Sequence, residues 1–98
     1  MYVTVIVVYD ISTKDVAGKK RLNRVSRICR NFGVAMQNSV YECEVDAAQY
    51  RTLQTQLISQ IAPDEDSICF YLPGNRPHSR IARFGKERVL WDRQSYVI

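Results

Sequence analysis

Apolar positions along the chain switch between two periods. The run Tyr2-Val3-Thr4-Val5-Ile6-Val7-Val8-Tyr9 is almost wholly apolar and rich in β-branched and aromatic residues, which predicts a strand. Val3, Val5 and Val7 fall on one side of it, and Tyr2, Thr4, Ile6, Val8 and Asp10 on the other. Both sides are largely apolar, so the strand is expected to be central and covered on both faces. A loop is expected over 11–18, with Thr13 or Asp15 as a cap and Gly18 as a breaker. Over 19–31 the period becomes helical. Leu22, Val25, Ile28, Cys29 and Phe32 form one face to bury, and Gly33 ends the helix.

Residues 34–45 predict two short strands, or one strand kinked at Gln37-Asn38-Ser39. Tyr41, Cys43 and Val45 then alternate with Glu42 and Glu44. Asp46-Ala47-Ala48-Gln49 has the pattern of a capping box, in which the Asp side chain caps the helix and Gln reaches back. The helix it opens is expected to run to about Ile61 and to bury Tyr50, Leu53, Leu57 and Ile61. Pro63 and the acidic turn Asp64-Glu65-Asp66 precede a strand over 67–72, which Pro73-Gly74-Asn75 breaks. Ile81-Ala82-Arg83-Phe84 is a further short-strand candidate.

The order βαββαβ predicts an α+β domain of ferredoxin-like type, with two helices on one face of a four-stranded antiparallel sheet and a short C-terminal strand or tail. Its first and third strands are central. The chain's own helices cover one face. A second copy of the sheet would cover the other, so a homodimer packed sheet to sheet is expected. The single domain spans 1–98, with a core of about 1–73 and a basic tail over 74–98. The apolar end of that tail, Tyr96-Val97-Ile98, is expected to dock on the partner subunit.

Composition adds limits. At 98 residues and 46% apolar, the chain can bury a core without disulfide or metal staples. No apolar run reaches membrane-spanning length, and no basic region precedes the first strand, so neither an anchor nor a signal peptide is expected. Cys29, Cys43 and Cys69 lack the close spacing of a zinc or redox motif and read as buried thiols of a cytoplasmic protein.

The net charge of +4 is unevenly placed. One basic block runs from Lys14 to Arg30 and a second from Arg76 to Arg93, around an acidic middle. Such segregation suits a polyanionic partner, and a solvated helix face with a solubilising tail is the equal alternative on charge alone. Lys20, Arg24, Arg27 and Asn31 recur at helical spacing as a stripe that can meet successive phosphates. Lys20, Arg21, Arg24 and Arg27 form one candidate nucleic-acid-binding group, and Arg76, Arg80 and Arg83 a second. Backbone contacts with little sequence preference are expected.

Catalytic chemistry has one candidate. The lone His78 sits in a turn-rich loop without a triad, and no P-loop, dinucleotide fingerprint or HExxH motif occurs. Asp10 is a carboxylate at the end of an apolar strand. It either caps the 11–14 loop as an Asx-turn or holds a metal. One carboxylate is a poor Mg²⁺ site, but two copies of Asp10 meeting near a twofold axis could share an ion that activates water.

These residues, taken together, resemble the Cas-two family, the small CRISPR-associated adaptation proteins. The resemblance is carried by Tyr9-Asp10-Ile11, Lys20-Arg21-Leu22-Asn23-Arg24-Val25, Phe32-Gly33, Gln37-Asn38-Ser39-Val40-Tyr41-Glu42-Cys43, Asp66-Ser67-Ile68-Cys69-Phe70-Tyr71-Leu72 and Gly74-Asn75. It covers about residues 1–85 and looks closest to the branch found with I-C systems. It implies a ferredoxin-like homodimer with metal-dependent endonuclease activity on RNA or double-stranded DNA. It also implies a Mg²⁺ or Mn²⁺ ion at Asp10, shared with the partner subunit. It further implies a central place between the integrase subunits that insert new spacers. Two other readings stand beside it: a non-catalytic architectural dimer that supports DNA for the integrase, and a stand-alone toxin-type ribonuclease. The chain departs from the family at Ala35, where relatives commonly carry Arg, and at Tyr41, where Phe is common.

Overall fold

The computed structural model describes residues 1–74 and 80–86. Its elements are β1 (Val3–Asp10), α1 (Val16–Phe32), β2 (Gly33–Gln37), β3 (Val40–Val45), α2 (Ala47–Gln60), β4 (Ser67–Leu72) and β5 (Arg80–Gly85). The strands form one antiparallel sheet in the order β2-β3-β1-β4-β5. This is the ferredoxin-like arrangement with a fifth strand added beside β4. The first and third strands are interior, as the apolar run of β1 requires, and β5 makes β4 interior as well.

The helices cover the face that carries Val5, Val7 and Tyr9, all buried. Cys43 and Tyr41 of β3 oppose Val5 and Val7, and Phe70 and Ile68 of β4 oppose Val7 and Tyr9. Val25 and Cys29 of α1 and Leu53 and Leu57 of α2 close this core from above. Each large side chain buried there contributes about 1.5–3 kcal/mol. Phe70 meets Tyr50 and Phe84 edge-on, with ring centroids 5.9 Å apart in both pairs. Phe84 thereby ties β5 to the core of its own chain. Residues 87–98 fall outside the described residues, and the expectation for Tyr96-Val97-Ile98 falls there with them.

Gly18 does not break the helix. The helix starts at Val16, three residues before the expected start, because Asp15 caps it: the Asp15 carboxylate accepts the Gly18 amide at 2.8 Å. Glycine is needed here for a different reason. A Cβ at position 18 would stand 1.9 Å from the Ser12 carbonyl oxygen. Gly33 does sit at the helix end, where its amide bonds to the Cys29 carbonyl. Its backbone is extended rather than left-handed, and a side chain there would strike the Glu42 carbonyl and the Cys43 sulfur. The Asp46 capping box forms with both bonds, Gln49 amide to Asp46 at 2.7 Å and Asp46 amide to Gln49 at 2.9 Å.

The segment 34–45 is a hairpin. The β2–β3 register shifts between Ala35 and Gln37, and the turn is made at Ser39, with φ of 66°. A non-glycine residue in this left-handed region costs roughly 1–2 kcal/mol. The Ser39 carbonyl is held by the Tyr9 amide at 3.0 Å, which fixes the turn against β1.

Candidate metal centre and nucleic-acid surface

β1 ends at Asp10, whose cross-strand partner on β4 is Ser67. Strand alternation puts Asp10 on the face away from the helices, in line with Thr4, Ile6 and Val8, all half-buried. Rows of side chains cross this open face. One runs Val40, Val8, Cys69, Arg83, and another Glu42, Ile6, Tyr71, Ile81. The face is therefore largely apolar at its centre, with Asp10 at one end.

An Asx-turn at Asp10 would draw on the amide two residues on, that of Ser12. That amide is donated to Asp66 Oδ1 at 2.9 Å. Asp66 therefore anchors the loop at Ser12. This residue is fully buried, and its carboxylate accepts four bonds. Oδ1 takes the Ser12 amide and Arg21 Nη2 (3.3 Å); Oδ2 takes Arg21 Nε (2.7 Å) and the Ala62 amide (2.8 Å). Burial alone would raise the Asp66 pKa. Hydrogen bonds from Arg21 and from the Ala62 and Ser12 amides outweigh it and hold the carboxyl below the usual range.

The basic residues divide. Lys20, Arg24 and Arg27 are exposed along α1. Lys20, Arg21 and Arg24 line a shallow groove of about 510 Å³ that Ser59 and Gln60 of α2 complete. Arg21 differs from its neighbours: its side chain is only 14% exposed and its guanidinium is engaged with Asp66. Arg83 is exposed on the open face, level with Cys69. Arg80 pairs with Leu72 at the start of β5, and Arg76 lies outside the described residues. The fold thus places Asp10 and Arg83 on one side of the sheet and the α1 stripe on the other. The 11–15 loop leads from the Asp10 side to the start of α1, and the Arg21–Asp66 pair ties α1 to the start of β4.

Ala35 opens onto a hollow of about 700 Å³ floored by Tyr9 and Tyr41, and Arg30 of α1 lines the same hollow. Tyr9 also shares a 2.7 Å hydrogen bond with Ser26. Among the described residues, no three His, Cys, Asp or Glu side chains gather as a metal cage, and no helix is long and apolar enough to cross a membrane. Burial pushes the Cys29 thiol up to about 12 and the Cys43 thiol up to about 11, so both are protonated near neutral pH.

The family model for CRISPR associated protein Cas2 matches residues 1–81. The chain belongs to the Cas2 family. It is 40% identical over 81 residues to the CRISPR-associated endoribonuclease Cas2 of Chlorobaculum tepidum, covering 83% of this chain and 84% of that protein. It is 38% identical over 81 residues to the CRISPR-associated endonuclease Cas2 of Halalkalibacterium halodurans, with the same two coverages. The crystal structure of Streptococcus pyogenes Cas2 at pH 6.5 superposes with a TM-score of 0.68 at 41% identity, over 74% of this chain and 88% of that one. Within this Cas2 fold, Asp66 is the buried, fully bonded carboxylate that reading the sequence misses. It sits in the run Asp64-Glu65-Asp66, which reads as an acidic turn. The available signal is the one that singles out Asp10: a carboxylate flanking an apolar strand, here Ser67–Leu72.

Proposed function

We propose that the chain works as a homodimeric endonuclease of CRISPR adaptation, hydrolysing phosphodiester bonds at paired Asp10 carboxylates with Mg²⁺ or Mn²⁺. The observation that carries this reading is the place of Asp10 at the end of β1, on the open and largely apolar face of the sheet. The loop that follows the strand end is anchored by the Ser12 amide on Asp66, which fixes where that end stands.

The donor set suits the ion. Mg²⁺ takes hard oxygen ligands and is commonly held by one or two carboxylates, completed by water and substrate phosphate. One Asp10 per chain gives two in a dimer. The apolar centre of the open face, with Ile6, Val8 and Val40 half-buried, supports a second copy of the sheet as its cover. When bound, the ion supplies a lowered pKa of water and positive charge beside the phosphate. The chain's own residues do the rest. Asp10 would hold the ion, one carboxylate from each chain. Arg83, on the same face, would supply positive charge to the phosphate backbone. The strand end itself is held by Tyr9 bonding to Ser39 and by Ser12 bonding to Asp66. RNA and duplex DNA share this phosphate chemistry, and the endoribonuclease and endonuclease names of the relatives support either.

A second reading has an observation of its own. Lys20, Arg24 and Arg27 lie on the helix side of the sheet and Asp10 on the open side, so the basic stripe and the carboxylate belong to different surfaces. This favours an architectural dimer that supports DNA between integrase subunits. Cleavage assays on single-stranded RNA and duplex DNA separate the two, run with Mg²⁺, Mn²⁺ or chelator beside Asp10→Ala. Metal-dependent cleavage lost in the variant supports the nuclease. Duplex binding with no cleavage by either protein supports the architectural role. Equal cleavage by both removes Asp10 from the mechanism.

A further inference from the structure

Asp66 is the point where the chain's segments converge. Its carboxylate bonds to the loop after β1 at Ser12, to α1 at Arg21 and to the end of α2 at Ala62. Its backbone amide reaches the Ala62 carbonyl at 2.8 Å, and its carbonyl accepts the Lys86 amide at 2.7 Å, just past β5. Four bonds come close to filling the acceptor sites of one ionised carboxylate. Stability alone does not account for such a group, because a buried ion pair is often no better than well-packed apolar side chains. What a carboxylate offers that an apolar residue cannot is a fixed acceptor for two loop amides, with a guanidinium behind it to hold its charge.

One of those amides belongs to Ser12, two residues beyond Asp10. Ile11 between them is buried in the core. On the other flank, Tyr9 is buried and bonded to Ser39 and Ser26. Asp10 is thus held between two anchored neighbours. A second clamp acts on Ser12 from the opposite side, where the missing side chain of Gly18 lets its carbonyl seat against α1. Asp66 also immediately precedes Ser67, the cross-strand partner of Asp10. A centre with one carboxylate from each chain has few bonds to correct a misplaced ligand, so placement of the strand end decides its affinity.

We infer that Asp66 is a positioning residue for the Asp10 centre, acting through the Ser12 amide, with Arg21 as the counter-charge that holds it there. This rests on the reading of Asp10 as a metal ligand. It also gives Arg21 a role apart from its basic neighbours: its Nε and Nη2 serve the loop rather than a phosphate.

The test is a Mn²⁺ titration of the full chain followed by electron paramagnetic resonance, for wild type, Asp10→Asn, Asp66→Asn and Gly18→Ala. Duplex binding in chelator is measured in parallel. Wild type is expected to bind Mn²⁺ and Asp10→Asn to lose it. Asp66→Asn should bind Mn²⁺ about 10-fold or more weakly, in the range usual for groups that orient metal ligands, with metal-free duplex affinity unchanged. Gly18→Ala disturbs Ser12 from the other side without touching Asp66, and it should weaken Mn²⁺ in the same way. It carries the test if Asp66→Asn does not fold. Wild-type Mn²⁺ affinity in a folded Asp66→Asn, or in Gly18→Ala where that stands in for it, overturns the inference. Equal losses of Mn²⁺ and duplex binding also overturn it, since they would mark a general structural role. Mn²⁺ binding that Asp10→Asn leaves intact would instead overturn the Asp10 reading itself, and the positioning role with it.

Discussion

The guanidinium of Arg21 meets the buried carboxylate of Asp66 through Nε at 2.7 Å, and so a residue from the middle of a basic stripe is turned inward. Its neighbours Lys20 and Arg24 stay exposed. Position along a helix therefore does not decide which basic residue meets a phosphate; the partner beneath does. The pair also links the two sides of the sheet, from the α1 groove to the loop behind Asp10.

Stability should report this difference. Asp66→Ala leaves the Ser12 and Ala62 amides and the Arg21 guanidinium without their acceptor, and a loss of about 3 kcal/mol is expected. Lys20→Ala, which removes an exposed side chain, should stay within about 0.5 kcal/mol of wild type. Urea denaturation of the two variants checks both values.

The pH dependence follows from the depressed pKa of Asp66. A carboxylate with a folded-state pKa below its unfolded value of about 3.9 contributes its full stability above that value. The contribution is lost as pH falls through the lower, folded-state pKa. Wild type should therefore lose stability more steeply than Asp66→Asn below about pH 4, while the gap between them stays constant from about pH 5 to 7. Urea midpoints measured from neutral to acid pH give the comparison, and parallel acid limbs would remove Asp66 as the source.

Much of this was legible locally. The strand of Val3–Asp10, the two helices and the Asp46–Gln49 capping box follow from periodicity and from bonds between residues close in sequence. The short-strand candidate at Ile81–Phe84 became a full strand because Ala82 and Phe84 pack on the core. Gly18 misled because a glycine near a loop reads as a breaker, whereas its cause is the Ser12 carbonyl, a contact made only after the loop folds back. Asp66 and Arg21 lie 45 residues apart, and no local pattern pairs them. Asp10 was visible from the end of one strand. What surrounds it is tertiary.

Thiol chemistry offers a simpler check of the core. Cys29 and Cys43 are fully buried, with pKa values raised to about 12 and about 11. At neutral pH a thiol-disulfide reagent should label them only as the protein unfolds, at a rate that follows urea concentration. Prompt labelling of Cys29 or Cys43 in the native protein would contradict the packing of α1 on β3.

Duplex binding should depend steeply on salt. If about four phosphates are neutralised, log K falls against log salt with a slope near −3.6, or about −0.9 for each contact. Replacing Lys20 and Arg24 together by Gln should reduce the magnitude of that slope by about 1.8 without changing sequence preference. Fluorescence anisotropy over a range of NaCl concentrations measures both slopes. A flat response would remove the α1 stripe as a phosphate-binding surface.

The paired Asp10 centre is tested most directly by counting metal. Mn²⁺ bound at saturation is measured by electron paramagnetic resonance on protein whose mass in solution is fixed by light scattering, for wild type and Asp10→Ala. The account predicts a dimer that binds one Mn²⁺ for two chains, and an Asp10→Ala dimer that binds none. A monomer, or a dimer whose Mn²⁺ survives the substitution, would contradict it.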